Sequence, residues 1–116
     1  MEIQSILDRE ELFERLDNDY ELLQELIEMF LEDYPSLVSE IESAVASKNS
    51  ENLKIAAHTL KGSVGNFCAQ GAFDAAFVLE QCGSKNDFSQ IDVQLVQLRR
   101  EMEQVETALK ALAEEL

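Results

Sequence analysis

Residues 91–112 read IDVQLVQLRREMEQVETALKAL. Ile91, Leu95, Leu98, Met102, Val105, Leu109 and Leu112 follow one another at alternating steps of four and three. That alternation lines one face of a helix, predicted to run from about Ser89 to Glu115. Such a heptad seam needs a cover. Either a second copy supplies it in a coiled coil, or other helices of the same chain do.

The upstream sequence offers those helices. Leu23, Ile27, Phe30, Tyr34, Leu37, Ile41 and Val45 also recur at steps of four and three, from about Asp19 to Ser47. The stripe keeps its phase across Pro35, which lacks an N–H and crowds the carbonyl four residues back. Two helices broken at Tyr34 would fit, but the unbroken phase favours one kinked helix, or two abutting ones. Asn49 and Ser50 then offer an N-cap for a helix from about Ser50 to Asn66, with Leu53, Ala56, Ala57, Leu60, Val64 and Phe67 inward. A further helix, about Ala69 to Gly83, carries Ala72, Phe73, Ala76, Phe77 and Leu79, and residues 83–87 read as its C-cap and a loop. Asp8 followed by Glu11 has the form of a capping box and starts a short first helix, about Asp8 to Leu16.

Short polar breaks join these segments, so the last helix can fold back on its own chain. The expected fold is all-α, an antiparallel up-down-up-down four-helix bundle over about residues 19–115, with a short N-terminal capping helix. The 116 residues suit one domain, 1–116, and a monomer. Four Gly and one Pro are too few for the frequent tight turns of an all-β fold.

Charge narrows the function. Twenty-four acidic against nine basic residues give a net charge of −15, which repels phosphate backbones and anionic lipid headgroups. Neither nucleic acid nor membrane is an expected partner. No apolar run approaches the ~20 residues of a membrane span, and no basic-then-apolar leader opens the chain, so a cytoplasmic protein is expected. Cys68 and Cys82 stand fourteen residues apart. If one helix carried both they would lie roughly 21 Å apart, out of disulfide reach. A single histidine, His58, excludes a multi-histidine metal site.

The chemistry must therefore be sought around His58. At about 100° per residue, His58 points roughly 150° away from the buried stripe of its helix. Ile55, Gly62 and Gly65 share that outer face, and Lys54 and Lys61 flank it, four residues before and three after. Each helical glycine costs about 1 kcal/mol relative to Ala, so two beside the imidazole suggest room kept for another protein. The lysines would stabilise a dianionic group on the ring. Against this, a lone surface histidine is commonly inert, glycine in a helix often marks close packing, and lysines at this spacing are common solvated charges.

The stretch Ala57-His58-Thr59-Leu60-Lys61-Gly62-Ser63 resembles the signature of the histidine-containing phosphotransfer (HPt) domain family. The likeness continues through Gly65-Asn66-Phe67 and Ala69 and resumes at Ala76 and Leu79-Glu80. Upstream, Phe30, Pro35 and Leu37 stand as in the family's second helix. It covers about Asp8 to Leu112 and departs at Cys68, where the family usually has Gly, and at Ala72, where Leu is common. Cys68 is expected to start the next helix, and Phe73 or Phe77 to fill the space beside Ala72.

The resemblance implies a phosphorelay carrier and not an enzyme. His58 would accept a phosphoryl group from a receiver-domain aspartate and pass it to another receiver. Lys61 would sit beside the phosphoryl group. Glu80 would accept a hydrogen bond from the other ring nitrogen, keeping Nε2 as the nucleophile. Lys54, Ile55, Gly62 and Gly65 would meet the partner. The implied partners are receiver domains of response regulators or a hybrid sensor histidine kinase. No cofactor or metal is expected on this chain, Mg²⁺ being held by the receiver. The rival reading is an acidic helical adaptor or chaperone-like protein with an inert histidine.

Overall fold

The computed structural model describes residues 6–116. Among the described residues five helices follow in order: α1 (Arg9–Arg15), α2 (Tyr20–Ser47), α3 (Ser50–Gly65), α4 (Gln70–Lys85) and α5 (Ile91–Glu115). No strand occurs among the described residues. Three helices start on side-chain caps that a short polar residue makes possible. Asp8 accepts from the Glu11 N–H at 3.1 Å, Asp19 from Leu22 at 3.0 Å, and Asn49 from Asn52 at 3.0 Å.

α2 runs unbroken through Pro35, as its unbroken apolar phase predicts. Its buried residues are Leu23, Ile27, Phe30, Ile41 and Ala44, while Tyr34 and Leu37 beside the proline are half-buried. The α5 seam is buried along its whole length, from Ile91 to Leu112. It is covered by this chain's own helices: α2 packs on α3, α3 on α4, α4 on α5, and α5 back on α2. Each Leu or Ile sealed in this way contributes roughly 1.5–3 kcal/mol. Among the described residues no polar or charged side chain is buried. No described helix is long and apolar enough to cross a membrane.

α1 is tied to the far ends of α3 and α5. Arg15 donates to the Gly65 carbonyl at 3.1 Å, the Asp8 N–H donates to the Cys68 carbonyl at 3.0 Å, and Arg9 pairs with Glu115 at 2.9 Å.

Two local expectations are corrected. α4 does not end at Gly83 but runs to Lys85, with Asn86 in the left-handed conformation as its C-cap. Gly83 is a buried packing residue. A Cβ there would lie 2.5 Å from the Lys54 nitrogen and 2.7 Å from the Ser50 carbonyl oxygen, so α3 and α4 touch backbone to backbone. Cys68 does not start α4. It sits in the preceding turn at φ 56°, a conformation that suits glycine better than a side chain. Cys68 and Cys82 are thus not on one helix, and both are free thiols. Of the two phenylalanines expected beside Ala72, Phe73 packs against the core, and Phe77 is 43% exposed, over Lys61.

One polar tie crosses from α2 to α5. The Tyr34 hydroxyl donates to Glu106 at 2.5 Å, and the Tyr34 ring stacks on Phe30. Burial, and then Glu106, push the Tyr34 hydroxyl up to about 12, so it stays protonated and donating. The same bond, with help from Lys110, holds the Glu106 carboxyl below the usual carboxylate range. A carboxylate with a lowered folded pKa adds stability above its unfolded pKa and loses it as pH falls through the folded one. Tyr34→Phe is therefore expected to cost about 1 kcal/mol at neutral pH, and the cost to shrink once pH drops below the carboxylate range. Denaturant titrations at both pH values measure this. An unchanged difference at acid pH would show that the hydroxyl contributes nothing through Glu106.

Candidate functional site

α3 presents His58 outward from the middle of its length, with 67% of the side chain exposed. Behind it the helix is anchored by Leu53, Ala56, Ala57, Leu60 and Val64, all buried. The ring is not free to rotate. Its Nδ1 lies 2.9 Å from Glu80 Oε2, across the α3–α4 interface. The backbone approach at Gly83, one turn beyond Glu80, brings α4 close enough for that bond.

Glu80 is 17% exposed and serves two partners. Its Oε1 is sealed from solvent and makes no hydrogen bond of good angle; the Lys61 ammonium 2.7 Å away supplies the compensating charge. Lys61, and then His58, hold the Glu80 carboxyl below the usual carboxylate range against the opposing effect of burial. An ionised carboxylate can only accept. In the neutral imidazole, His58 Nδ1 therefore carries the proton and Nε2 keeps its lone pair. That is the tautomer a nucleophilic Nε2 requires.

Lys61 is 18% exposed. Its ammonium lies 5.1 Å from the centroid of the Phe77 ring and 5.8 Å from that of Phe73, within cation–π range. Phe73, Phe77 and Glu80 are spaced four and three apart on α4. That shared helical face is the one sequence signal for this cage, and it goes unread when α4 is scanned only for its core. Gly83 as a packing residue escapes the sequence as well.

The remaining predicted residues divide. Gly62 stands open: nothing lies within 4 Å of where its Cβ would be. Gly65 does not. A Cβ there would press on Phe73 at 3.3 Å, and its carbonyl is taken by Arg15. The open space expected at both glycines exists at Gly62 alone, because α4 and α1 close over Gly65. Ile55 is 54% exposed. Lys54 is half-exposed and sits 3.8 Å from Glu51. Lys54, Ile55, His58, Thr59 and Glu80 line a surface depression of about 340 Å³. Thr59 and Ser63 do not offer hydroxyl protons to it, since both donate back to the carbonyl four residues earlier. Another depression, lined by Leu26, Met29, Phe30 and Phe67 among others, opens elsewhere and does not border His58.

The arrangement can do one kind of chemistry well. It offers an oriented, exposed imidazole, with Nδ1 held by Glu80, to an electrophile brought by another molecule. No group of side chains suited to hold a metal ion occurs among the described residues.

A family model described as the Hpt domain matches residues 25–115. No curated protein matches the chain. In fold, the chain is similar to the crystal structure of histidine-containing phosphotransfer protein B (HptB) from Pseudomonas aeruginosa PAO1. The TM-score is 0.82 at 20% identity, covering 96% of each chain.

Proposed function

Because this chain belongs to the Hpt domain family, we propose that it is a phosphorelay intermediate that takes a phosphoryl group onto His58 from one receiver domain and delivers it to another. The observation that carries this is the Nδ1–Glu80 bond on an exposed side chain, which in the neutral ring puts the proton on Nδ1 and the lone pair on Nε2. An adaptor with an inert histidine has no use for it.

In the forward step the Nε2 lone pair attacks the phosphorus of a receiver's aspartyl phosphate. The N–P bond forms as the P–O bond breaks, and the aspartate carboxylate leaves with the electron pair. The reverse step returns the phosphoryl group to a second receiver's aspartate. Positioning and charge neutralisation supply most of the catalysis in such transfers, and Mg²⁺ in the receiver supplies the neutralisation. This chain supplies the nucleophile and its orientation and is not itself an enzyme. The four long helices alternate direction along the bundle, so α3 and α4 hold His58 and Glu80 on its side wall, open to a partner. Ile55, Lys54 and the open surface at Gly62 form the docking ground. The chain works as a cytoplasmic monomer between the receivers of response regulators or of a hybrid kinase.

The test is incubation with receiver domains charged with labelled phosphate by acetyl phosphate in the presence of Mg²⁺. Acid-labile, base-stable label on this chain is expected. No transfer from any receiver of the source genome would overturn the reading.

Gly62→Leu probes the docking ground separately. The site is open, so the substitution is expected to raise helix stability by about 1 kcal/mol. Side-chain bulk beside the imidazole keeps the receiver off, and transfer is expected to slow at least about tenfold, or about 1.4 kcal/mol of barrier. Thermal melts and transfer rates on the same preparation check both halves. Wild-type transfer would remove Gly62 from the interface.

A further inference from the structure

The contacts of Lys61 do not match those of a cation waiting for phosphate. It is mostly buried, its ammonium is 2.7 Å from Glu80 Oε1, and the rings of Phe77 and Phe73 close over it at 5.1 and 5.8 Å. Glu80 in turn uses its other oxygen on His58 Nδ1. A continuous chain of contacts thus runs from two aromatic rings through an ammonium and a carboxylate to the imidazole.

We propose that Lys61 is a positioning residue that acts on His58 through Glu80: clamped by Phe73 and Phe77, it pins one carboxylate oxygen so that the other is held as the acceptor of Nδ1–H. The physical reason lies in the acceptor count. A carboxylate has two acceptor oxygens and can satisfy an ammonium and an N–H at once. Its Oε1 is sealed from solvent, so without Lys61 that oxygen must turn out to water, and Oε2 leaves its place on the ring. An amide cannot serve both partners. With one oxygen and one NH2, it must give the oxygen to Lys61 and turn a donor toward Nδ1, which then has to be the unprotonated nitrogen. This deepens the phosphotransfer reading and takes its purpose from it, but its test uses unphosphorylated protein, so the two can fail separately.

His58 is the sole histidine, so its ring nitrogens are resolved without ambiguity by ¹⁵N NMR of labelled protein. At a pH where the imidazole is neutral, the wild type is expected to show mainly Nδ1–H. Lys61→Met keeps an unbranched helix-forming side chain and removes the charge. It is expected to lower the Nδ1–H to Nε2–H ratio about threefold or more. In the Glu80→Gln background the same replacement is expected to raise the ratio, because the amide oxygen is released to the ring. An unchanged ratio in Lys61→Met overturns the proposal. So does a shift in the same direction, or none, in the Glu80→Gln background. Should Lys61→Met fail to fold, Phe77→Leu carries the test, since that ring is 43% exposed. It is expected to lower the ratio too, and an unchanged ratio overturns the clamp.

Discussion

His58→Gln is expected to leave the bundle folded and to bring phosphate uptake down to background. The side chain is 67% exposed, so removing it opens no cavity and leaves no core group unpaired. The substitution breaks the hydrogen bond to Glu80 Oε2, and Glu80 keeps Lys61. The melting temperature should therefore move by no more than about 2 °C, as for a surface change of a few tenths of a kcal/mol. The loss of function has no such cushion. Nothing else near the site offers an activated nitrogen or oxygen: Thr59 and Ser63 have their hydroxyl protons committed to backbone carbonyls and no neighbouring base. Circular dichroism, thermal melts and labelled-receiver transfer on the purified variant decide the matter. A folded variant that still took up acid-labile phosphate would place the acceptor elsewhere.

Gly83→Ala is expected to be the most damaging single-methyl change in the site's scaffold. The added carbon would stand 2.5 Å from the Lys54 nitrogen, 2.7 Å from the Ser50 oxygen and 2.9 Å from the Lys54 Cα. All three are backbone atoms, which cannot swing aside as a side-chain tip can. α3 and α4 must part instead. The helix propensity gained, about 1 kcal/mol, offsets only part of the cost of overpacking, and a net loss of roughly 1–3 kcal/mol is expected. The damage should reach the chemistry, because Glu80 lies one turn before Gly83 and must span the same interface to reach His58. Denaturant titration should show a lower midpoint with an unchanged slope. The ¹⁵N signature of His58 should move toward Nε2–H. Wild-type stability would mean that the two helices separate at no cost. Gly62→Ala, two turns away from Lys54 on open surface, is the control of opposite sign.

The helices themselves were legible in the sequence for a local reason. An apolar stripe with a period near 3.6 residues has one conformation that buries it, and the seven residues from Ile91 to Leu112 are all buried. The outward direction of His58 and Ile55 follows from the same periodicity. Boundaries marked by side-chain caps, at Asp8, Asp19 and Asn49, were legible too, because the capping bond spans three residues. The end of α4 was misplaced because glycine after an apolar stripe reads alike whether it ends a helix or lets a second helix close in.

That ambiguity marks the boundary between two sources of information. The all-helical fold, the stripes that form its core and the exposed histidine are written in the chain, since each depends on residues within a few positions of one another. What surrounds His58 is settled by packing between helices. Gly62 and Gly65 share a face on the helical wheel, yet one is open and the other meets Phe73, because α4 passes over one and not the other. Glu80 lies twenty-two residues from His58, and whether its carboxylate reaches the ring depends on the spacing of α3 and α4. That spacing is set by a backbone contact at Gly83, a quantity between helices that no periodicity within a helix encodes.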